Sequence, residues 1–96
     1  MELEESKEIK EYSLKESYPN PFNPTTEISY QIPKNSFVNL VVYNALGQGV
    51  ATLVNQHQSI GQYSVQFNAS NLPSGVYIYK LHAGEFKSIK KMILTK

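Results

Sequence analysis

The sequence predicts an all-β protein, a seven-stranded antiparallel β-sandwich of the immunoglobulin-like kind. Apolar and polar residues alternate with a period of two in short runs, as in Tyr63-Ser64-Val65-Gln66-Phe67, which puts one set on each face of a sheet. Clusters of Gly, Pro, Asn and Ser separate these runs at short, regular spacing. No run carries the apolar spacing of an amphipathic helix. At 96 residues the chain suits one core and not two.

Residues 2–11 hold five of the eight glutamates and only two apolar side chains. Such a segment buries too little to order itself, so residues 1–11 read as a solvated acidic linker and residues 12–96 as the folded domain. Residues 12–17 alternate and predict a short first strand at a sheet edge. Next comes Tyr18-Pro19-Asn20-Pro21-Phe22-Asn23-Pro24. Three prolines remove three backbone donors, so this piece does not lie inside a ladder. Each proline also biases its predecessor toward extended geometry. The segment is expected to be a rigid crossover between two sheets, stiffened by Pro19, Pro21 and Pro24, with Phe22 plugging the end of the core.

Further strands are predicted over 26–32, with Ile28, Tyr30 and Ile32 on one face, and over 37–43, with Val38, Leu40 and Val42 inward. A short strand over 50–54 precedes a polar loop over 55–61. Residues 62–68 alternate cleanly, with Tyr63, Val65 and Phe67 inward. The last two strands end at Ala83 and near Leu94, joined by a tight turn at Gly84-Glu85.

Between the fifth and sixth strands lies Leu72-Pro73-Ser74-Gly75-Val76-Tyr77. A Leu-x-x-Gly-x-Tyr pattern entering a strand suggests a tyrosine corner, in which the Tyr77 hydroxyl bonds back to upstream backbone where the chain passes between sheets. Leu72, Gly75 and Tyr77 are the residues of that corner.

Composition narrows function. Cysteine is absent, so there is no disulfide framework and no thiolate metal site. All nine basic residues are Lys and all eight acidic ones are Glu, with a net charge of +1. Without arginine forks or a basic excess, a nucleic-acid partner is not expected. No apolar run approaches the ~20 residues of a membrane span. No secretory signal peptide follows Met1, so an exported protein with this chain is expected to carry its signal on a part further upstream. Asp is absent, which removes a Ser-His-Asp arrangement, and His57 and His82 read as solvated side chains. No enzymatic activity, metal or cofactor is expected.

The run Tyr18-Pro-Asn-Pro-Phe-Asn-Pro-Thr-Thr26, then Ile28-x-Tyr30-x-Ile32-Pro33, resembles the opening of the C-terminal sorting domain (type A) of the type IX secretion system. The likeness continues through Val38-x-Leu40-x-Val42-Tyr43-Asn44-x-Leu46-Gly47 and through Gly61-x-Tyr63-x-Val65-x-Phe67 to Gly75-x-Tyr77-x-Tyr79-Lys80-Leu81, and closes on Lys90-Lys91-Met92-Ile93-Leu94. It covers about residues 12–96. Immunoglobulin-like modules of the flagellar hook-capping kind share parts of the pattern, but they usually sit inside other proteins, so a chain ending at Lys96 favours the sorting family.

The resemblance implies a non-catalytic secretion and sorting signal at the end of a larger passenger. The passenger enters the periplasm, passes the type IX outer-membrane translocon, and reaches the cell surface or the medium. A sortase-like surface peptidase removes the domain, with the cut expected near residues 5–17. The passenger, covalently joined upstream, is then released or attached to anionic lipopolysaccharide. The domain is expected to be a monomer that does not span the membrane.

Two readings stand for the lysines of the last strand. Lys87, Lys90 and Lys91 guard an edge strand against self-pairing. Alternatively, they form with Met92, Ile93, Leu94 and Lys96 the surface that the translocon recognises, by strand addition and charge complementarity. Outward Phe37 and Tyr43 raise a function of another class, a carbohydrate-binding module with aromatic platforms. A structural spacer of a secreted multidomain protein is a further alternative.

Overall fold

Seven strands form where the alternating runs fall, in a computed structural model that describes residues 9–96. They are β1 (Ser13–Leu14), β2 (Thr25–Ile32), β3 (Ser36–Asn44), β4 (Gly49–Gln58), β5 (Gly61–Asn68), β6 (Gly75–Ala83) and β7 (Phe86–Leu94). All neighbours are antiparallel. A three-stranded sheet in the order β1-β2-β5 faces a four-stranded sheet in the order β4-β3-β6-β7. The all-β sandwich of the sequence reading is thus the fold. Of the acidic lead, residues 1–8 lie outside the described residues. Ile9 to Glu11 carry no strand, and Gln31 Nε2 donates to the Glu11 carbonyl at 3.1 Å.

The period of two decides what is buried. Ile28, Tyr30 and Ile32 of β2, Val38, Leu40 and Val42 of β3, and Tyr77, Tyr79 and Leu81 of β6 are buried between the sheets. Met92 and Leu94 of β7 join them, and Phe22 and Phe67 meet at the end of the core with ring centroids 6.1 Å apart. Tyr brings a hydroxyl into this core, and each one is bonded, as burial of a polar group requires. Tyr30 donates to Gln58 Oε1 at 2.5 Å and Tyr79 to the Lys15 carbonyl at 2.8 Å. Burial pushes both hydroxyls above the ordinary tyrosine pKa.

Three expectations are corrected. The first strand pairs as a regular strand only at Ser13 and Leu14. Lys15 N–H still reaches the Ser29 carbonyl, and Tyr18 pairs with Glu27, so Glu16 and Ser17 stand where one residue would fit. The chain leaves the ladder there with the Lys15 carbonyl aimed at Tyr79. The fourth strand runs from Gly49 to Gln58, so residues 55–58 are strand and only Ser59 and Ile60 connect it to β5. Their polar character misled because β4 is an edge strand whose end buries almost nothing. Polar side chains suit it: Asn39 Nδ2 donates to Asn55 Oδ1 at 3.3 Å, and His57 sits edge-on to Phe37 at 4.9 Å.

The third correction concerns the proline-rich segment. It joins β1 and β2, which are neighbours in one sheet, and is no crossover. Instead it loops out and docks on the free edge of β7 in the opposite sheet. Phe22 N–H donates to the Ile93 carbonyl at 2.9 Å, and Thr95 N–H donates to the Phe22 carbonyl at 3.0 Å. Pro19 and Pro21 offer no donor, and the Asn20 side chain acts in place of a peptide group. Its Oδ1 accepts from Ile93 N–H at 2.9 Å and its Nδ2 donates to the Lys91 carbonyl at 3.3 Å. Thr26 Oγ1 donates to the Pro19 carbonyl at 2.7 Å and ties the loop to β2. The Tyr18-Pro19, Asn20-Pro21 and Asn23-Pro24 bonds are all cis.

Candidate functional site

Three parts that the sequence singled out, the corner, the proline-rich segment and the terminal strand, come together around β7. The corner carries the chain from β5 in one sheet to β6 in the other. Leu72 N–H donates to the Ala69 carbonyl at 3.0 Å and starts the turn. Gly75 takes φ +155°, a value that residues with a Cβ rarely adopt, so glycine is needed to enter β6 at this angle. Tyr77, buried two residues later, donates its hydroxyl to the Pro73 carbonyl at 2.7 Å. Tyr77→Phe is expected to lower stability by about 1–2 kcal/mol through loss of that bond. Urea unfolding checks this, and an unchanged midpoint would mean that the bond contributes nothing.

The corner also holds the chain's end. Lys96 N–H donates to Ser74 Oγ at 2.9 Å, and Lys96 Nζ donates to the Ser70 carbonyl at 2.7 Å. Lys96 is therefore placed on the corner and away from the other lysines of the last strand.

Alternation along β7 divides the remaining candidates. Lys87, Lys91 and Ile93 point away from the core, while Met92 and Leu94 are fully inside it. Lys90 shares the inward parity and reaches the flank of the sandwich, where Nζ lies 3.4 Å from Glu16 Oε2. The stretch from Lys87 to Lys96 is thus not one surface. Met92 and Leu94 build the core; Lys87, Lys91 and Ile93 belong to the outer face of the four-stranded sheet.

That outer face also contains residues the sequence reading did not single out. Register places Ile93 beside Val76, Lys91 beside Ile78, Ile89 beside Lys80 and Lys87 beside His82. The result is an apolar strip with three lysines along it. Ile89 is 62 % exposed, the largest fraction for an isoleucine in the fold. The signal was present in the odd numbers of β7 and the even numbers of β6, but it becomes a surface only once these strands are paired. From Tyr12 onward the chain has seven lysines against three glutamates, so the folded part is cationic although the whole chain is nearly neutral. His82 lies on the same face, and His57, expected in a loop, stands on β4. No group of three or more His, Cys, Asp or Glu positioned to hold a metal occurs among the described residues.

The family model of the secretion system C-terminal sorting domain matches residues 16–95, from the approach to the proline-rich segment through the whole of β7. The chain belongs to the type IX secretion C-terminal sorting domain family. No curated protein matches the chain. As a type IX sorting domain it marks a secreted protein for export to the cell surface or medium, and it implies a passenger and the secretion system as partners. No helix among the described residues is long and apolar enough to cross a membrane. The aromatic pair behind the carbohydrate reading is dispersed in this sorting domain. Phe37 and Tyr43 sit at opposite ends of β3, about 20 Å apart at ~3.3 Å per residue, too far to stack on one sugar ring.

Proposed function

We propose that this sorting domain is a non-catalytic export signal that the outer-membrane translocon reads on the outer face of the four-stranded sheet. Lys80, Lys87 and Lys91 supply charge, and Val76, Ile89 and Ile93 supply apolar contact. The observation that carries the reading is the split of β7: its buried residues are occupied in the core, so a receptor meets Lys87, Ile89, Lys91 and Ile93. Complementary charge steers such an encounter and fixes its register. The passenger is joined upstream and enters the periplasm before it meets the translocon. A surface peptidase then removes the domain. The cut falls before Tyr12, because the Lys15 carbonyl holds Tyr79 and Ser17 is buried.

Fusion of residues 12–96 to a reporter in a type IX-competent host tests this. Lys87→Glu with Lys91→Glu is expected to lower export by about tenfold or more, the change that ~1.4 kcal/mol of lost recognition produces. The melting temperature of the isolated variant should stay near that of the parent. Normal export of the folded double variant would overturn the assignment of this face, and no export of the parent fusion would favour a spacer.

A further inference from the structure

The two outer faces of the sandwich differ in kind. On the three-stranded sheet, outward residues of β2 and β5 pair as polar rows: Glu27 with Gln66, Ser29 with Ser64, Gln31 with Gln62. Ser64 Oγ donates to the Glu27 carboxylate, so this face carries an anion of its own, and Lys15 stands beside Ser29 and Gln31 on it. On the four-stranded sheet, Lys80, Lys87 and Lys91 stand among Val76, Ile89 and Ile93. The four strands of that sheet, β3, β4, β6 and β7, contain no glutamate at all. Cations on this face therefore meet no carboxylate within their own sheet.

The chain enters the domain at one end of the lysine row. Tyr12 stacks on Phe86 with ring centroids 5.0 Å apart, and its hydroxyl lies 3.1 Å from Ser36 Oγ. Phe86 opens β7 and directly precedes Lys87, so Tyr12 fixes the entry point beside the first lysine of that strand. Immediately upstream, residues 2–8 read Glu-Leu-Glu-Glu-Ser-Lys-Glu, four glutamates against one lysine. Lys87 and Lys91 are four residues apart, ~13 Å along the strand at ~3.3 Å per residue. Ten residues separate Glu2 from Tyr12 and can reach ~33 Å at the same rise, enough to turn back over the β6–β7 turn and cover the row. Glu4 and Glu8 repeat at the four-residue interval of Lys87 and Lys91.

We infer that residues 2–8 dock on the outer face of the four-stranded sheet, with their glutamates over Lys87 and Lys91, in place of the solvated linker expected from the sequence. The inference rests on the face proposed above for the translocon and adds a regulation to it. Charge selects this occupant. Residues 2–8 are the most acidic stretch of the chain, and they are tied to the end of its most cationic face. The opposite face offers one lysine, Lys15, against Glu27 and so gives an acidic segment no net attraction. Exposed ion pairs are individually weak, but a tether this short presents the glutamates at about millimolar effective concentration. Docked there, the segment occupies the lysines that a receptor needs. Only a partner acidic enough to displace it gains the face, and weakly anionic surfaces are turned away.

The chain has no cysteine, so Ser6→Cys in the 96-residue protein carries a single nitroxide label, and paramagnetic broadening of backbone amides reads where the segment lies. At low salt the amides of Lys87, Ile89 and Lys91 are expected to lose most of their intensity, while those of Glu27 and Ser64 on the other face keep theirs. Sodium chloride at about 0.5 M shortens the screening length to a few ångströms and should restore the lost signals. Lys87→Glu with Lys91→Glu should restore them at low salt. Equal broadening on both faces, or broadening that survives both treatments, overturns the inference. So does broadening of an unlabelled, isotope-enriched chain mixed with the labelled one, which would make a second copy's segment the occupant. If the double variant fails to fold, the salt comparison decides alone. Export of the 12–96 fusion, which lacks the segment, is read separately. Broadening at Ile89 with normal export of the Lys87→Glu, Lys91→Glu fusion keeps the docked segment and removes the translocon face. Lost export without broadening does the reverse.

Discussion

Phe22→Ala is expected to destabilise the domain by about 3–5 kcal/mol, the cost of emptying a buried aromatic site. Against a typical domain stability of about 5–15 kcal/mol, that leaves a protein close to unfolding at ambient temperature. Phe22 is 2 % exposed, and its ring closes the end of the core against Phe67. Its backbone is also the rung that seats the proline-rich segment on β7 through Ile93 and Thr95. Loss of the ring therefore has a local signature besides the global one. The amides of Ile93 and Thr95 should exchange faster than the change in global stability accounts for, because the capping segment lifts before the sandwich opens. Urea unfolding with residue-resolved exchange measures both. A loss below about 1 kcal/mol, with Ile93 still protected, would show that Asn20 and the prolines seat the segment without the ring.

Removal of residues 92–96 is expected to abolish folding, and export with it. Deletion takes Met92 and Leu94 out of the core, each worth about 2–5 kcal/mol, and together these approach the whole stability of a domain of this size. It also removes the rungs to Tyr77, Val76 and Gly75 and the partners of Phe22. Near-ultraviolet circular dichroism and a cooperative urea transition should both be lost. Export of a truncated fusion would then fail because the signal has no shape, not because a contact residue is missing. The Lys87→Glu and Lys91→Glu pair changes the face while leaving the core intact, so the two experiments separate folding from recognition. A truncated chain that unfolds cooperatively at the parent's midpoint would show that the end of β7 is dispensable to the fold.

Most of the sandwich was legible because burial in a sheet follows parity. Tyr30, Leu40, Tyr79 and Leu81 could be assigned to the inside from alternation alone, and their strands exist where the alternation runs. Parity failed at the edges. Residues 55–58 lack an apolar face because nothing covers the end of β4, so a ladder strand there looks like a loop. Residues 15–17 keep an alternating pattern, yet the backbone bends out of the ladder and the Lys15 carbonyl meets Tyr79, 64 residues away in sequence.

By itself the sequence determined an all-β sandwich, its family, and the inward residues of β2, β3, β5 and β6. Those follow from local chemistry: the period of two, the turn residues, and the absence of donors at proline. Only the tertiary structure decided where the proline-rich segment goes and which residues near the chain's end share a surface. Asn20 and Ile93 are 73 residues apart, and no local pattern encodes their bond. Strand pairing likewise joins Ile89 to Lys80, and so converts two alternating runs into one cationic, apolar face. Hydrogen bonds between distant segments set which strand lies beside which, and the beginning and end of a chain meet only when the whole of it has folded.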